Sequence, residues 1–285
     1  MNSANIWVIG PIAWDTVLYV PHIPTSGRFV HASSHQERPG GQGFNVASGI
    51  CSANLPVNLV GYVGNDSEGL NLMKAISESG LSAEYIETFD NSSPHVTILV
   101  EESGERTMIG MEKNLLAEIS SASIPFAPGD IVVWPFWLDA FFPMLQEVRE
   151  KCTVIIGSNS LQSQHELTGD VLVVSSSEVE HPEIINKFKA KFSKVIITDG
   201  ANGSKLFQDN KGFTISAMEI NVADSTGAGD SFLAGVVLSQ YENRSASDML
   251  RVSTVWAGLT TANQQSNPVL WKFVSQELHK AKFMK

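Results

Sequence analysis

The chain has 285 residues and a mass of 30.9 kDa, enough for one large α/β domain or two domains of ordinary size. Its 19 basic and 30 acidic residues give a net charge of −11, which argues against a nucleic-acid binder and against attraction to an anionic membrane. Apolar residues make up 43% and charged residues only 17%, as is typical of a folded protein with a substantial core. Without a basic leader or an apolar run approaching the ~20 residues of a membrane span, we expect a soluble, cytoplasmic protein.

The first half of the chain predicts short strands around one clear helix. The apolar runs at 6–9 and 57–62 predict strands, and residues 67–79 predict a helix with Gly80 at its end. Leu70, Met73 and Ile76 recur at helical spacing and are expected to form its buried face.

Two segments of the first half differ because apolar and polar residues alternate along them. They cover residues 16–37 and 94–108, and the second predicts a hairpin with its turn at Ser103-Gly104. Arg106 and Lys113 flank that hairpin, where a surface position is favoured over contact with a substrate or nucleotide. Half-buried hairpins of this kind predict a small sheet that projects from the main body.

The second half of the chain alternates strands and helices and then becomes mostly helical. Short, nearly continuous apolar runs are typical of strands buried on both faces of a parallel sheet. Such strands are predicted at 131–134, 154–156, 171–174 and 195–198, with helices at 139–150, 182–191, 227–240, 246–263 and 270–282. The pattern indicates an α/β protein with a mostly parallel sheet and helices on both faces.

The strongest chemical motif is Asp224-Ser-Thr-Gly-Ala-Gly-Asp230, directly before an apolar helix face. Unpaired N–H groups and the positive end of a helix dipole form an anion site, and glycine lets a ligand approach the backbone closely. A carboxylate beside such a cradle repels phosphate unless it also accepts a proton from an attacking hydroxyl group. The simpler alternative is a glycine-rich helix start in which Asp230 only complements the dipole.

This motif closely resembles the C-terminal signature of the ribokinase-like (PfkB-type) carbohydrate kinases. Further matches follow in the order and spacing of that family, across residues 6 to about 240: Pro39-Gly-Gly-Gln-Gly-Phe-Asn45, Val60-Gly-Tyr-Val-Gly-Asn-Asp66-Ser-Glu-Gly69 and Thr198-Asp-Gly-Ala-Asn-Gly203. The resemblance implies a three-layer α/β/α sandwich with a mostly parallel central sheet and a small β-sheet lid. It implies one domain over residues 1–285, with lid strands inserted at about 16–38 and 94–110.

The family's roles fall on particular residues of this chain. Asp230 resembles the catalytic base, and the backbone of Gly227, Ala228 and Gly229 resembles the anion hole. Asp15, Gly40, Gly41 and Asn45 resemble the sugar-binding residues, although Asp15 alone is equally a turn carboxylate after the first strand. Thr198, Gly200, Gly203 and Thr226 resemble the nucleotide side of the site.

The resemblance also implies ATP and Mg²⁺ as cofactors. Glu178 in Ser175-Ser-Ser-Glu178 matches the last residue of the family's N-x-x-E magnesium motif, with a solvated helix-start glutamate as the alternative. Asp224 and Thr226 match part of a monovalent-cation site, but Gln264-Gln-Ser-Asn267 replaces the family's R-x-G-A turn, which leaves the K⁺ requirement open.

Together these features predict an ATP-dependent kinase that phosphorylates a primary hydroxyl group of a sugar or sugar-like molecule. Two alternatives stay open: a nucleoside kinase of the same fold, and a nucleotide- or sugar-binding protein without catalysis. The expected partner is a small molecule, with no nucleic acid and no membrane. Because lids in this family often pair, a homodimer through the lid is one option for this chain.

Overall fold

The fold of the chain is described by a computed structural model that covers residues 4–102, 105–110, 115–119, 123–263 and 267–284. The predicted turn at Ser103-Gly104, the side chain of Lys113 and residues 264–266 lie outside these ranges. Within them, no helix is both long and apolar enough to cross a bilayer.

A nine-stranded sheet forms the middle layer of the molecule. In spatial order from one edge to the other, its strands are β13 (Lys211–Ile215), β12 (Ser204–Gln208), β11 (Phe192–Thr198), β10 (Gly169–Ser175), β9 (Thr153–Ser158), β8 (Ile131–Phe136), β1 (Ile6–Ile9), β4 (Val57–Gly64) and β5 (Ile86–Phe89). All neighbours from β11 to β5 pair in parallel, and only the β11–β12–β13 meander is antiparallel.

Helices cover both faces of this sheet. They are α1 (Gln42–Ser52), α2 (Ser67–Glu78), α3 (Phe142–Val148), α4 (Glu183–Lys189), α5 (Ala228–Tyr241), α6 (Ala246–Thr261) and α7 (Trp271–Glu277). The side chains of β1 alternate between the two resulting cores: Ile6 and Val8 pack with α1, α2, α5, α6 and α7, whereas Trp7 and Ile9 pack with α3 and α4. This alternation is the period-2 geometry of a strand that is buried on both sides.

A second, four-stranded sheet has the order β3 (Ser34–Gly40), β2 (Ala13–Val20), β6 (His95–Glu101) and β7 (Arg106–Gly110). Its strands come from the two segments in which apolar and polar residues alternate. Val17, Ile98 and Val100 form a small core of their own under it. The architecture confirms the predicted three-layer α/β/α fold with a mostly parallel sheet and a smaller separate sheet.

Several predicted details are wrong. Leu70 is 76% exposed, and the buried face of α2 consists of Gly69, Leu72 and Ile76. The helix predicted at 139–150 is a 3-10 turn at Asp139–Phe141 followed by the shorter α3, because Pro143 is compatible with a helix start but not with a helix interior. The last helix ends at Glu277, not at residue 282.

Candidate active site

Residues of the predicted site converge where the parallel strands end. The carboxyl ends of parallel strands lie along one edge of the sheet, and ligands of α/β folds bind outside that edge. Thr198 ends β11, Ser175 ends β10, and the turn that carries Glu178 follows β10 directly. The N-terminus of α5 completes the arrangement. Gly227 precedes the helix in the left-handed region, with a φ of 77°, a conformation that favours glycine.

Asp230 and Asn45 form a hydrogen bond that joins the two ends of the predicted site. Asn45 lies in α1 and its Nδ2 donates to Oδ2 of Asp230, in the first turn of α5, at 2.7 Å. Burial raises the pKa of Asp230, while the bond from Asn45 and the charge of Arg106 lower it. A carboxyl group with a raised pKa is suited to accept a proton near neutral pH. The buried Oδ1 of Asn45 has no hydrogen-bond partner in the part of the chain that the structure describes, so a hydroxyl donor would satisfy it.

Asp15 lies in β2 and is only 5% exposed. Burial raises its pKa to about 7, the nearby charge of Arg38 opposes this rise, and the charge of Asp230 adds to it. Gly40 makes room for this carboxyl group, because a β-carbon at residue 40 would collide with both of its oxygens. Gly41 directly precedes α1 with a φ of 88° and lies against the carbonyl of Pro11. The glycine pair therefore lets the chain before α1 pack closely against the start of β2 and the residues just before it.

Two arginines from opposite edges of the small sheet reach the loop before α5. Arg38 of β3 forms a buried ion pair with Asp224, with 3.3 Å between Nη2 and Oδ2. Arg106 of β7 donates through Nη1 to the hydroxyl of Ser225. The surface position favoured for Arg106 is therefore wrong, because its side chain reaches from the small sheet to Ser225 in the loop before α5.

A cavity of about 390 Å³ opens beside this loop. Its walls include Thr198, Gly200 and Gly203 at the end of β11, and Ala228 and Gly229 at the start of α5. Elsewhere the lining is largely apolar and is completed by α6 and the 217–222 segment, with Arg106 and Ser225 at the polar side. A β-carbon at Gly229 would meet no atom within 4 Å, so the backbone of this residue faces open space. An apolar slot that ends at a helix N-terminus suits a nucleotide base and its phosphates.

Thr226 does not line this cavity. Its backbone N–H donates to Oδ1 of Asp224 at 2.8 Å, and its hydroxyl group is buried. The side chain of Thr226 therefore points into the protein interior and not toward the surface that a nucleotide would touch.

Glu178 ties two strand ends together. Its Oε1 accepts from the backbone N–H of Asn159 at 2.7 Å, and its Oε2 accepts from that of Ser175 at 2.8 Å. Together with the Ser175 hydroxyl group this forms a capping box, so the side chain is more ordered than a solvated helix-start glutamate. Each oxygen still has a lone pair to offer to a metal-bound water. Among the described residues, no cluster of three or more His, Cys, Asp or Glu side chains is able to hold a metal ion. The site fits Mg²⁺ only when phosphates and water supply most ligands.

Sequence reasoning missed Arg38 entirely. The one signal in the sequence is that this basic residue directly precedes the Pro39-Gly40-Gly41 motif. The register places it directly opposite Asp15 on β2, which explains why the two side chains share one environment.

The sequence matches the profile of the pfkB family of carbohydrate kinases over residues 3–134 and 126–272. Two relatives illustrate the range of similar proteins. The ribokinase of Dictyostelium discoideum is 24% identical over 317 residues, which cover 93% of this chain and 99% of that protein. The nucleoside kinase of Thermoplasma acidophilum is 26% identical over 266 residues, which cover 87% of this chain and 86% of that protein.

The fold is also similar to that of solved structures. The ribokinase of Arabidopsis thaliana in complex with ribose and ATP superposes with a TM-score of 0.74 and 22% sequence identity, over 96% of this chain and 98% of that one. This likeness confirms a ribokinase-like fold. The profile match spans nearly the whole chain and agrees with the ordered motifs. The chain belongs to the pfkB family and is an ATP-dependent carbohydrate kinase.

Proposed function

We propose that this kinase transfers the terminal phosphoryl group of ATP to a primary hydroxyl group of a neutral sugar or sugar-like molecule, with Asp230 as the general base. The observation that carries the proposal is the hydrogen bond between Asn45 and Asp230. The bond supports the proposal because it joins Asn45 of the predicted sugar-binding motif to the candidate base, at the positive end of α5.

The acceptor molecule binds between Asp15 and Asn45. A carboxyl group and an amide offer both donors and acceptors, which suits neutral hydroxyl groups. The buried Oδ1 of Asn45, unpaired among the described side chains, accepts one of them. Gly40 leaves the space that the carboxyl group of Asp15 needs, and Gly41 leaves space for the backbone of Pro11 and Ala13. The carboxyl groups of Asp15 and Asp230, in their ionised forms, disfavour an acceptor that already carries a phosphate, because like charges repel.

The nucleotide occupies the cavity of about 390 Å³, with its phosphates toward Ala228 and Gly229. Asp230 takes the proton of the acceptor hydroxyl, whose oxygen then attacks the terminal phosphorus of ATP. The bond from that phosphorus to the bridging oxygen of ADP breaks, and the products are the phosphorylated acceptor, ADP and a proton. The N–H groups at the start of α5 and the guanidinium of Arg106 stabilise the charge that develops on the transferred group.

Mg²⁺ is proposed to accompany ATP, with Glu178 as its protein contact through water. When bound, the ion neutralises phosphate charge. The small sheet is proposed to act as a lid that excludes water from the reaction. Whether two lids pair into a homodimer stays a prediction.

A substrate panel tests the proposal. The purified protein is incubated with Mg·ATP and each of a set of hexoses, pentoses and nucleosides, and both ADP release and the phosphorylated product are measured. We expect turnover with a neutral sugar. The likeness to a nucleoside kinase is the reason for including nucleosides. If ATP and an acceptor bind but no acceptor gives a phosphorylated product, the chain is a binding protein and the proposal is wrong.

A further inference from the structure

The buried ion pair between Arg38 and Asp224 lies where the family resemblance implies a site for a monovalent cation. The two side chains are 9% and 0% exposed, so the pair is almost fully removed from water. Arginine stays protonated at any physiological pH, and its guanidinium is therefore a permanent positive charge at this position.

The carboxylate of Asp224 has both oxygens engaged. Oδ1 accepts from the backbone N–H of Thr226 at 2.8 Å, and Oδ2 accepts from Arg38 at 3.3 Å. Its single negative charge is thus matched by one positive charge. A second cation placed beside the guanidinium would meet strong repulsion, since water screens little in a buried site. These residues do not fit a K⁺ ion next to Asp224.

The ion pair of Arg38 and Asp224 lies between the loop before α5 and the proposed acceptor site. Asp224 begins the loop that leads through Ser225 and Thr226 into the start of α5, so the ion pair lies directly before the predicted anion site. Strand register holds Arg38 opposite Asp15 at the acceptor side. The guanidinium therefore stands between the acceptor site and the loop before the phosphate cradle.

One feature of the same loop would suit a bound ion. The buried hydroxyl oxygen of Thr226 has no hydrogen-bond partner among the described residues, and an ion would satisfy it. A test must therefore ask directly whether K⁺ binds.

We propose that the guanidinium of Arg38 supplies from within the chain the positive charge beside Asp224 that a bound monovalent cation would otherwise provide, so that the enzyme works without K⁺. The proposal rests on the proposed kinase function for its catalytic part. Its other part, that K⁺ does not bind the folded protein, is tested without any measurement of activity.

The binding part is tested by thermal unfolding of the wild-type protein in KCl, NaCl and tetramethylammonium chloride at equal ionic strength. A ligand that binds only the folded state raises the melting temperature as its concentration rises. We expect the same melting temperature in all three salts. A rise specific to KCl would overturn the proposal, and this result does not depend on any activity.

The catalytic part is tested by ADP formation in the same salts with the best acceptor of the panel. The wild-type rate is expected to be equal in all three. Arg38→Met should be at least about tenfold slower in tetramethylammonium, a loss of about 1.4 kcal/mol, and should recover in KCl. Arg38→Lys, which keeps the charge, should stay independent of K⁺.

Arg28→Met removes an exposed arginine between β2 and β3 and serves as the matched control, with no expected change in any salt. A wild-type enzyme that is active only in KCl would overturn the proposal. So would an Arg38→Met enzyme that is as active as wild type in every salt. If no protein is active with any acceptor, the kinase function has failed, and the unfolding experiment still decides whether K⁺ binds. If Arg38→Met does not fold, the wild-type and Arg38→Lys proteins carry the test.

Discussion

Asp15 is a carboxyl group held almost out of water between a cation and a second carboxyl group. Its pKa is raised to about 7 from 3.8, chiefly by burial, with Arg38 opposing the rise and Asp230 adding to it. At pH values between 3.8 and about 7, the carboxyl group of Asp15 is mostly protonated in the folded protein but mostly ionised in the unfolded chain. The folded state therefore loses stability as pH rises from about 4 to 7, because the unfolded state binds fewer protons.

This shift predicts the effect of Asp15→Asn on stability. The asparagine cannot ionise, so the variant should lose less free energy of unfolding than wild type as pH rises across that interval. Each unit of pKa shift corresponds to about 1.4 kcal/mol. We therefore expect the difference in free energy of unfolding between the two proteins to change by ~1–4 kcal/mol across the interval. Urea unfolding at several pH values between 4.5 and 8 measures it. Asp90→Asn, at an exposed position, is the control, and identical pH profiles for Asp15→Asn and wild type would contradict the assignment.

At the scale of single residues, the sequence predicted which residues form the candidate site but not the contacts between them. Asp15, Asn45 and Asp230 were all predicted from motifs. That Asn45 donates to Asp230 was not predictable, because the two are 185 residues apart and meet only where α1 packs beside α5. Arg38 carries no motif of its own, and only strand register reveals its position.

At the scale of elements, the two edge strands of the small sheet hold the same loop. Arg38 on β3 binds Asp224, and Arg106 on β7 binds the adjacent Ser225. Both edges of the small sheet are thus bonded to the loop that precedes α5. Arg106 also lines the cavity of about 390 Å³ that is proposed for the nucleotide, and the proposal gives its guanidinium a phosphate oxygen as partner in place of Ser225 when ATP is bound.

Arg106→Gln should lower kcat by about 10- to 100-fold while the KM for the acceptor changes little, because the lost charge acts on the transferred group. Steady-state kinetics with varied ATP and varied acceptor separate the two effects. Added guanidinium should restore part of the rate, a result that a purely structural role would not give. Arg28→Gln is the control. An unchanged kcat with only a lower melting temperature would show that Arg106 is structural.

Most elements of the central sheet were predictable because buried parallel strands are continuous apolar runs. The β12–β13 hairpin was missed, although Asp209 and Asn210 at its turn have φ values of 50° and 59°, a turn type that favours Asp and Asn. Strand β5 was also missed, since Ile86–Phe89 is short and mixes apolar with polar residues. Leu70 was misplaced because helical spacing alone does not say which side of α2 meets the sheet.

At the scale of the whole molecule, the charge of −11 contrasts with a site that must hold phosphates. Positive potential is supplied locally. The loop of residues 224–229 contains glycine amides and leads into a helix N-terminus, and two arginines bind its first residues. The alternation of apolar runs and helical patterns predicted the class of fold, whereas the exclusion of nucleic acid as a partner, drawn from the net charge, stays a prediction. The order of strands, with β1 between β4 and β8, depends on long-range pairing that no local pattern specifies.

The central step of the proposed reaction is the removal of the proton from the acceptor hydroxyl group by Asp230. The most direct test is the rate of product formation by Asp230→Asn under saturating ATP and the best acceptor. The substitution keeps the shape of the side chain. We expect kcat to fall by about 10²- to 10⁴-fold with little change in the binding of ATP or acceptor, as measured by calorimetry. If the Asp230→Asn variant phosphorylates the acceptor at close to the wild-type rate, Asp230 is not the general base.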